Sequence, residues 1–371
     1  MELESLIRLA ADSGASDLHL EPGLSPAMRI RGTLCVAGEA IPAKDLAEMA
    51  QLLTGEEQWQ CFLQRQSFDL SKTIQGVRCR INILRTSRGV GMAIRLLVTF
   101  QATVEKLNLH PDLKKFIKHA HGLILVSGPT GCGKSSTLAA LIQEINLTET
   151  RHIITVESPI EYAFRPRRAY IRQREVGRDT PSFEQALLDA LREDPDVLMV
   201  GEMRDPETAA VAVTAALAGQ TVLATVHSND ATRTIDRLVE FGVARHSLAA
   251  ALTAVVAQRL VRRLCPNCKR RQAIPPELRP LLVDCEGTWF VATGCSACEG
   301  HGYSGRTAVF EILSIDDPLR ESIAAGASSS VLAQLAKDRG HRSLFDDAAA
   351  KLAAGVTSFS EVERVVGWWV R

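Results

Sequence analysis

The sequence predicts an α/β protein in which a small antiparallel domain precedes a larger domain with a mostly parallel sheet. Short alternating segments before residue 100 are typical of half-buried antiparallel strands. After residue 104, apolar segments of strand length alternate with helical segments, as in a parallel sheet covered by helices. One of these strands runs directly into a glycine-rich loop and a helix, which indicates a phosphate-binding site.

The composition is that of an ordinary globular protein. A length of 371 residues suffices for two domains and a small third. The formal net charge is zero and aromatic residues make up 5%, and both values argue against nucleic-acid binding. The chain has no run of about 18 apolar residues and no signal-peptide pattern, so we expect a cytoplasmic protein without a membrane-spanning helix.

The elements of the first domain follow from the spacing of apolar residues. Residues 3–10 and 43–53 predict helices, and the second of these ends before Gly55. Strands are predicted at the segments 17–20, 28–31, 78–83 and 92–97. In the third of these strands, Arg78, Arg80 and Asn82 share one face and the apolar residues share the other.

The second domain has four predicted parallel strands, at the segments 123–126, 153–156, 197–200 and 221–226. Helices are predicted between them, because apolar residues recur there at helical spacing. One helix has Asp205 as its cap, Pro206 at its first position and Gly219 beyond its end. The sequence is helical again from Pro318 to the last residue.

The stretch from Gly128 to Ser135, here called the phosphate loop, fits the pattern G-x-x-x-x-G-K-[ST]. Its glycines allow backbone N–H groups to approach a triphosphate closely. Lys134 would contact the β- and γ-phosphates, and the Ser135 hydroxyl would ligate Mg²⁺. The residues predicted to bind ATP are Gly128, Pro129, Thr130, Gly131, Cys132, Gly133, Lys134, Ser135 and Ser136.

Acidic and imidazole side chains follow three of the predicted parallel strands. Glu202 follows residues 197–200 and occupies a position that suits Mg²⁺ binding or polarisation of the attacking water. Glu157 and Glu161 follow the strand at 153–156, and one of them could be the general base. His227 ends the strand at 221–226 and could contact the γ-phosphate. The alternatives are a polar sheet rim for the glutamates and a structural histidine.

Arginines on strands of the first domain are candidates for completing the site. Arg78, Arg80 and Arg95 lie on these strands, and arginines supplied from outside a nucleotide site can neutralise charge in the transition state. The alternative is a solvated sheet face.

Four of the nine cysteines form two C-x-x-C pairs, Cys265 with Cys268 and Cys295 with Cys298. Two such pairs supply the four thiolates of a structural Zn²⁺ site. Cys285, between the pairs, is expected to take no part.

A local basic cluster adjoins the first cysteine pair. It is either a solvated face or a contact with a subunit or an anionic membrane. Its members are Arg259, Arg262, Arg263, Lys269, Arg270 and Arg271.

Taken together, these motifs resemble the ATPases of type II secretion and type IV pilus systems. The resemblance extends over nearly the whole chain. It includes the segments 15–22, 154–162, 191–196, 201–205, the surroundings of His227, the segments 258–260 and 305–307, the phosphate loop and the four cysteines.

The resemblance implies a homo-hexameric ring that works peripherally at the inner membrane with a platform protein there. It also implies a PAS-like domain over residues 1–102, a RecA-like ATPase domain over 103–264, a zinc lobe over 265–305 and a helical region over 306–371. Glu161 resembles the catalytic glutamate, Glu202 the Walker B acid, and Arg80 and Arg95 the arginines that reach the nucleotide. His227 corresponds to the histidine box.

Two departures from the family leave three functions open. Ser158 stands where the family usually has Asp, and the chain begins at the first shared domain, as in the shorter retraction motors. The tetracysteine lobe and the helical end resemble the secretion type instead. Assembly of a pilus or pseudopilus is therefore the leading prediction, and the alternatives are pilus retraction and a nucleotide-gated scaffold that hydrolyses ATP weakly.

Overall fold

The chain folds as two compact units. Unit 1 comprises Met1–Phe100 together with Glu161–Arg165, and unit 2 comprises Gln101–Ile160 together with Pro166–Arg371. The computed structural model describes residues 2–30, 33–97, 102–274 and 288–367. Arg31, Cys285 and Arg371, on which sequence predictions rest, lie outside these ranges.

Unit 1 is an antiparallel sheet of six strands with two helices. The strands are β1 (Ala15–Leu20), β2 (Ala27–Ile30), β3 (Thr33–Val36), β4 (Ser67–Ile74), β5 (Val77–Thr86) and β6 (Gly89–Leu97). They lie in the order β3-β2-β1-β6-β5-β4. The helices are α1 (Leu3–Asp12) and α2 (Ala43–Arg65), and Gly55 interrupts α2 with non-helical angles where the sequence predicts a helix end.

Strand β5 shows how the alternating sequence determines the two faces of this sheet. Cys79, Ile81 and Ile83 are fully buried and belong to the core of unit 1. Arg80 and Asn82 are half-buried on the opposite face, as predicted. Burial of each large apolar side chain contributes about 1.5–3 kcal/mol to stability, which fixes the register of β5 and so the direction in which Arg80 points.

Unit 2 is built on a sheet of seven strands in the order β15-β12-β7-β11-β10-β8-β9. These strands are β7 (Gly122–Ser127), β8 (His152–Glu157), β9 (Tyr170–Glu175), β10 (Val197–Val200), β11 (Thr221–Val226), β12 (Leu252–Leu264) and β15 (Tyr303–Ser314). Their pairings are parallel except that of β12 with β15. Every residue of β7, β10 and β11 is buried, which explains their continuous apolar sequences.

Helices cover this sheet and extend to the end of the described chain. They are α3 (Leu113–Phe116), α4 (Lys134–Thr148), α5 (Phe183–Ala190), α6 (Pro206–Leu217), α7 (Ala231–Glu240), α8 (Arg245–Ala251), α9 (Asp317–Ala324), α10 (Ser329–Asp338), α11 (Leu344–Ala353) and α12 (Phe359–Val365). Asp205 caps α6 by accepting a hydrogen bond from the Thr208 N–H, with Pro206 at the first helical position, as predicted. Within the described ranges, no helix is both long and apolar enough to cross a bilayer.

A buried carboxylate attaches the last helix to the sheet. Glu361 of α12 is fully buried and accepts hydrogen bonds from the Arg262 Nε at 2.9 Å and the Arg364 Nη2 at 2.6 Å. Burial alone would raise the pKa of Glu361, but hydrogen bonds from these two arginines lower it to about 2. Glu361 is therefore ionised at neutral pH and holds α12 against β12.

The cysteine lobe joins this helical region. A two-stranded antiparallel sheet, β13 (Arg270–Ala273) with β14 (Thr288–Val291), carries Trp289. The Trp289 ring stacks on Phe359 with 4.6 Å between ring centroids.

The predicted fold class is confirmed: a parallel α/β sheet, a small α/β unit, a cysteine lobe and C-terminal helices. The sequence did not predict β12 and β15, which extend the sheet beyond β7, or β9, which extends it beyond β8.

Candidate nucleotide site and metal centre

The phosphate loop connects the end of β7 to the start of α4, as its pattern predicts. Gly128 has φ 147 and Gly133 has φ 90, angles that L side chains rarely adopt. A Cβ at Gly128 would lie 2.5 Å from the Gln258 carbonyl oxygen, and one at Gly133 would lie 2.9 Å from the Gln258 Nε2. Gly128 is therefore required by conformation and by lack of space, and Gly133 is required by its conformation.

The side chains of the phosphate loop differ in their exposure. Lys134 is buried, and its Nζ donates hydrogen bonds to the carbonyl oxygens of Gly128 at 2.8 Å and Pro129 at 3.1 Å. Ser135, the predicted Mg²⁺ ligand, is exposed at the N-terminus of α4. Burial raises the pKa of the Cys132 thiol, although Lys134 and Arg259 oppose this shift, so Cys132 is a packed thiol rather than a reactive one.

Glu202 and His227 lie at the ends of β10 and β11, next to the phosphate loop. The Glu202 Oε2 is 3.9 Å from the His227 Nε2 and 2.7 Å from the Arg204 Nε. Burial and the Lys134 charge lower the pKa of His227, and Glu202 only partly offsets them. The imidazole is therefore neutral at neutral pH and can donate or accept a hydrogen bond.

An open cleft of about 480 Å³ adjoins these residues in unit 2. Its lining includes Gly128 and Pro129 of the phosphate loop and His227, Ser228 and Asn229 of the loop after β11. The carboxyl ends of parallel strands form this edge of the sheet, where ligands of open α/β sheets bind.

The two glutamates at the end of β8 and beyond it have different environments. Glu157 is buried, and its Oε1 accepts hydrogen bonds from the Thr155 hydroxyl at 2.7 Å and the Gln173 Nε2 at 3.1 Å. Glu161 is exposed and belongs to the segment that groups with unit 1. Glu157 is thus tied into the sheet edge, and Glu161 remains the candidate for general base.

Arg80 and Arg95 are direct neighbours within unit 1. They are paired across β5 and β6, and both line a cavity of about 250 Å³ with Asp17, His19 and Asn82. The Arg95 Nε donates to the Asp17 Oδ1 at 2.9 Å. Burial would raise the pKa of Asp17, but hydrogen bonds from Arg95 and Ser16 lower it, so Asp17 is the anion that holds Arg95 in this unit.

The structure therefore places the predicted site residues in two groups. Glu202 and His227 lie together in unit 2, beside the phosphate loop that carries Lys134, and Arg80 and Arg95 are paired in unit 1. Two buried residues of β12 contact the phosphate loop region: Gln258, for which the sequence predicted no role, and Arg259, which the sequence placed in the basic cluster. The apolar run that ends at Gln258 was the available signal, but its length and composition do not distinguish a strand from a helix.

Arg259 does not belong to the predicted basic cluster. Its guanidinium is buried and donates hydrogen bonds to the carbonyl oxygens of Gln258 and Asn229. Arg262 is paired with Glu361, and Lys269 donates to the Gly355 carbonyl oxygen. Burial therefore removes Arg259 from the cluster, whereas Arg262, Arg263, Arg270 and Arg271 remain exposed.

The four predicted cysteines converge at one point. Their sulfur atoms all lie within 4.8 Å of one another, with separations of 3.9 Å for Cys265 to Cys295, 3.8 Å for Cys268 to Cys298 and 3.7 Å for Cys295 to Cys298. A tetrahedron with Zn–S bonds of about 2.3 Å has edges of about 3.8 Å. The thiolate set therefore fits Zn²⁺ in number, chemistry and spacing.

Backbone donors support the thiolate form at this centre. The N–H groups of Cys295 and Gly302 each donate to the Cys298 sulfur at 3.2 Å. Burial alone would raise the pKa of Cys298, but hydrogen bonds from these donors and from the neighbouring thiols lower it to about 6, whereas burial raises the pKa of Cys295 to about 11. With four protein ligands the centre has no open position, so its role would be structural.

Replacing Cys298 by Ala is expected to abolish zinc binding and to loosen the lobe, because three thiolates leave the tetrahedral site incomplete. The purified variant should contain no zinc by atomic absorption, and proteases should cleave it between residues 265 and 305. The exposed Cys61 provides the control, since Cys61→Ala should keep about one zinc per chain. A full complement of zinc in Cys298→Ala would contradict the assignment.

The sequence is similar to a known protein family and to several of its members. A family model described as Type II/IV secretion system protein matches residues 2–364. The type II secretion system ATPase E of Vibrio cholerae is 36% identical over 386 residues, which cover 98% of this chain and 74% of that protein. The type IV pilus retractation ATPase PilT of Pseudomonas aeruginosa is 38% identical over 272 residues, which cover 71% of this chain and 79% of that protein.

The fold agrees with that relationship. A crystal structure of the pilus retraction motor PilT with bound ADP matches with a TM-score of 0.79 and 30% identity. The match covers 98% of this chain and 96% of that chain. The resemblance inferred from the motifs is confirmed, and the chain belongs to the Type II/IV secretion system protein family, a family of ATPases.

Proposed function

We propose that this chain is a hexameric motor ATPase that drives assembly of a type IV pilus or a type II secretion pseudopilus. The observation that carries the proposal is that Glu202 and His227 lie together at the carboxyl edge of the parallel sheet, beside the phosphate loop that carries Lys134. A phosphate-binding lysine and an acid that can hold Mg²⁺ are groups that ATP hydrolysis uses, and the imidazole adds a hydrogen-bonding group for the γ-phosphate.

Each residue has a distinct role in this proposal. The backbone N–H groups of the phosphate loop and the Lys134 ammonium bind the phosphates. The Ser135 hydroxyl and Glu202 would hold Mg²⁺, which neutralises phosphate charge when bound. Glu161 orients and deprotonates the attacking water, and His227 hydrogen-bonds to the γ-phosphate.

Arg80 and Arg95 supply the remaining positive charge. In this proposal they reach the nucleotide from unit 1 of the same chain or of a neighbouring subunit, and they stabilise the charge that spreads over the transferred phosphoryl group. Hydrolysis would then depend on the two units approaching each other. That dependence is how ATP turnover would move one unit against the other and so perform mechanical work.

Relatives of both kinds match this chain: the secretion ATPase E aligns with 98% of it in sequence, and the retraction motor PilT aligns with 98% of it in structure. Assembly is therefore proposed on the tetracysteine lobe and not on the extent of the match. The tetracysteine lobe is the feature that resembles the secretion type. In this proposal the ring works at the cytoplasmic face of the inner membrane against a platform protein.

Deleting the gene is expected to remove surface filaments, because an assembly motor is needed to build them. Filaments per cell counted by electron microscopy measure this outcome, and expression of the intact chain from a plasmid should restore them. Abundant filaments that fail to withdraw would instead identify a retraction motor.

Ser158 supports a second candidate function, that of a nucleotide-gated scaffold with weak hydrolysis. Ser158 is an exposed hydroxyl directly after Glu157, at a position where related motors usually have a carboxylate. A missing carboxylate would weaken metal or water positioning. The two candidates differ in steady-state phosphate release, which distinguishes an ATPase from a protein that only binds ATP.

A further inference from the structure

Gln258 and Arg259 are adjacent residues of β12 that have no role in the proposed mechanism. Strand β12 lies beside β7, with Ala257 paired to Ser127, so Gln258 is level with the first glycine of the phosphate loop. Gln258 is 1% exposed and Arg259 is 9% exposed. Buried polar side chains persist where their hydrogen bonds are satisfied, and both of these residues bond to parts of the nucleotide site.

The Gln258 amide links the phosphate loop to the first turn of α4. Its Nε2 donates to the Cys132 carbonyl oxygen at 2.8 Å, and its Oε1 accepts from the Thr137 hydroxyl at 2.7 Å. Cys132 precedes Gly133 at the turn into the helix, and Thr137 is the fourth residue of α4. One side chain therefore fixes the path of the loop relative to the helix N-terminus, where phosphate-binding N–H groups are presented.

The Arg259 guanidinium links the same strand to the loop that carries His227. Its Nη1 donates to the Gln258 carbonyl oxygen at 2.9 Å, and its Nη2 donates to the Asn229 carbonyl oxygen at 2.7 Å. Burial lowers the pKa of Arg259, whereas the Asp230 carboxylate favours its charged form. The planar fork joins β12 to the loop of His227 and Asn229, which lines the cleft beside Gly128.

We propose that Gln258 and Arg259 form a brace: Gln258 holds the phosphate loop in the shape that binds ATP, and Arg259 holds the His227 loop in register with it. This inference rests on the proposed function, because it concerns the same nucleotide site. Neither residue touches the reacting atoms in this scheme, so both are positioning residues. Substitution of Gln258 is expected to weaken nucleotide binding, and substitution of Arg259 is expected to lower kcat.

Gln258→Leu removes both hydrogen bonds at similar volume and should raise the Kd for a fluorescent ATP analogue by about tenfold, as expected for a lost buried hydrogen bond. Thr137→Val removes one of these bonds with little change in shape and should raise the Kd by less. The double variant should bind as weakly as Gln258→Leu alone, because both substitutions remove the same contact. Gln51→Leu, on an exposed residue of α2, is the matched control.

Arg259→Lys keeps the charge but cannot donate to both carbonyl oxygens in the same geometry. It should lower kcat by about tenfold and leave the Kd of the analogue within about twofold. Arg263→Lys, on an exposed residue of the same strand, controls for the chemical change. Arg259→Lys that weakens binding and leaves kcat intact would overturn its assigned role.

The possible results show whether the brace alone fails or the proposed function fails as well. A wild-type chain that binds no ATP would overturn the proposed function itself. A wild type that binds and hydrolyses ATP, with Gln258→Leu binding within about twofold of it, would overturn only the brace. If Gln258→Leu does not fold by circular dichroism, Thr137→Val decides the question, and unchanged affinity in that variant would likewise overturn the role of Gln258.

Discussion

Glu202→Gln is expected to lower kcat for ATP hydrolysis by about 10²–10⁴-fold while ATP still binds. The substitution keeps the size of the side chain but removes the negative charge that lies 3.9 Å from the His227 Nε2. Without that charge the site would lose a Mg²⁺ ligand, so the phosphate charge would be neutralised less well. Phosphate release at saturating ATP and binding of a fluorescent ATP analogue measure the two effects separately.

The control for this experiment lies on the next helix. Glu207 is exposed in the first turn of α6, and Glu207→Gln makes the same chemical change away from the cleft. Its turnover should equal that of the wild type. Turnover of Glu202→Gln at the wild-type rate would contradict the assignment of Glu202. Wild-type turnover as slow as that of Glu202→Gln would identify the scaffold rather than the motor.

Replacing both Arg80 and Arg95 by Gln is expected to lower kcat by about 10³–10⁵-fold, the range for arginines that stabilise phosphoryl transfer. Arg95 is held by Asp17 through a partly exposed ion pair, with 66% of the arginine side chain accessible. Exposed pairs of this kind contribute about 0–1 kcal/mol, so the interaction restrains Arg95 only weakly. Arg95 is therefore available to a nucleotide at small cost.

A binding measurement and a control variant accompany the arginine experiment. The affinity for the ATP analogue should fall much less than kcat, because the arginines act on charge that develops in the transition state. Arg8→Gln, on an exposed residue of α1, should leave kcat unchanged. A double variant that hydrolyses ATP at the wild-type rate would show that these arginines form a solvated sheet face.

The sequence predicts those parts of the site whose residues lie close together along the chain or directly after an apolar run. The phosphate loop lies within eight consecutive residues, and its glycines have the backbone angles that the pattern requires. Glu202 and His227 follow apolar runs that end at the same edge of the sheet, so their proximity follows from parallel topology. The four cysteines converge because each pair forms its own tight turn.

The brace could not be predicted, because it depends on a strand pairing between distant parts of the chain. Gln258 contacts Cys132 across 126 residues of sequence, and β12 reads as an apolar run without a clear period. Arg259 lies among basic residues in the sequence but is buried in the fold. The different environments of Glu157 and Glu161 likewise depend on tertiary contacts that alternation does not encode.

A double-mutant cycle on kcat tests most directly whether the acid of unit 2 and the arginines of unit 1 act at one catalytic site. The conservative variants Glu202→Asp and Arg95→Lys retain turnover that can be measured. Residues that act together on one transition state show strongly non-additive effects. The double variant should therefore hydrolyse ATP within about threefold of the slower single variant. A rate equal to the product of the two separate losses would contradict a shared site.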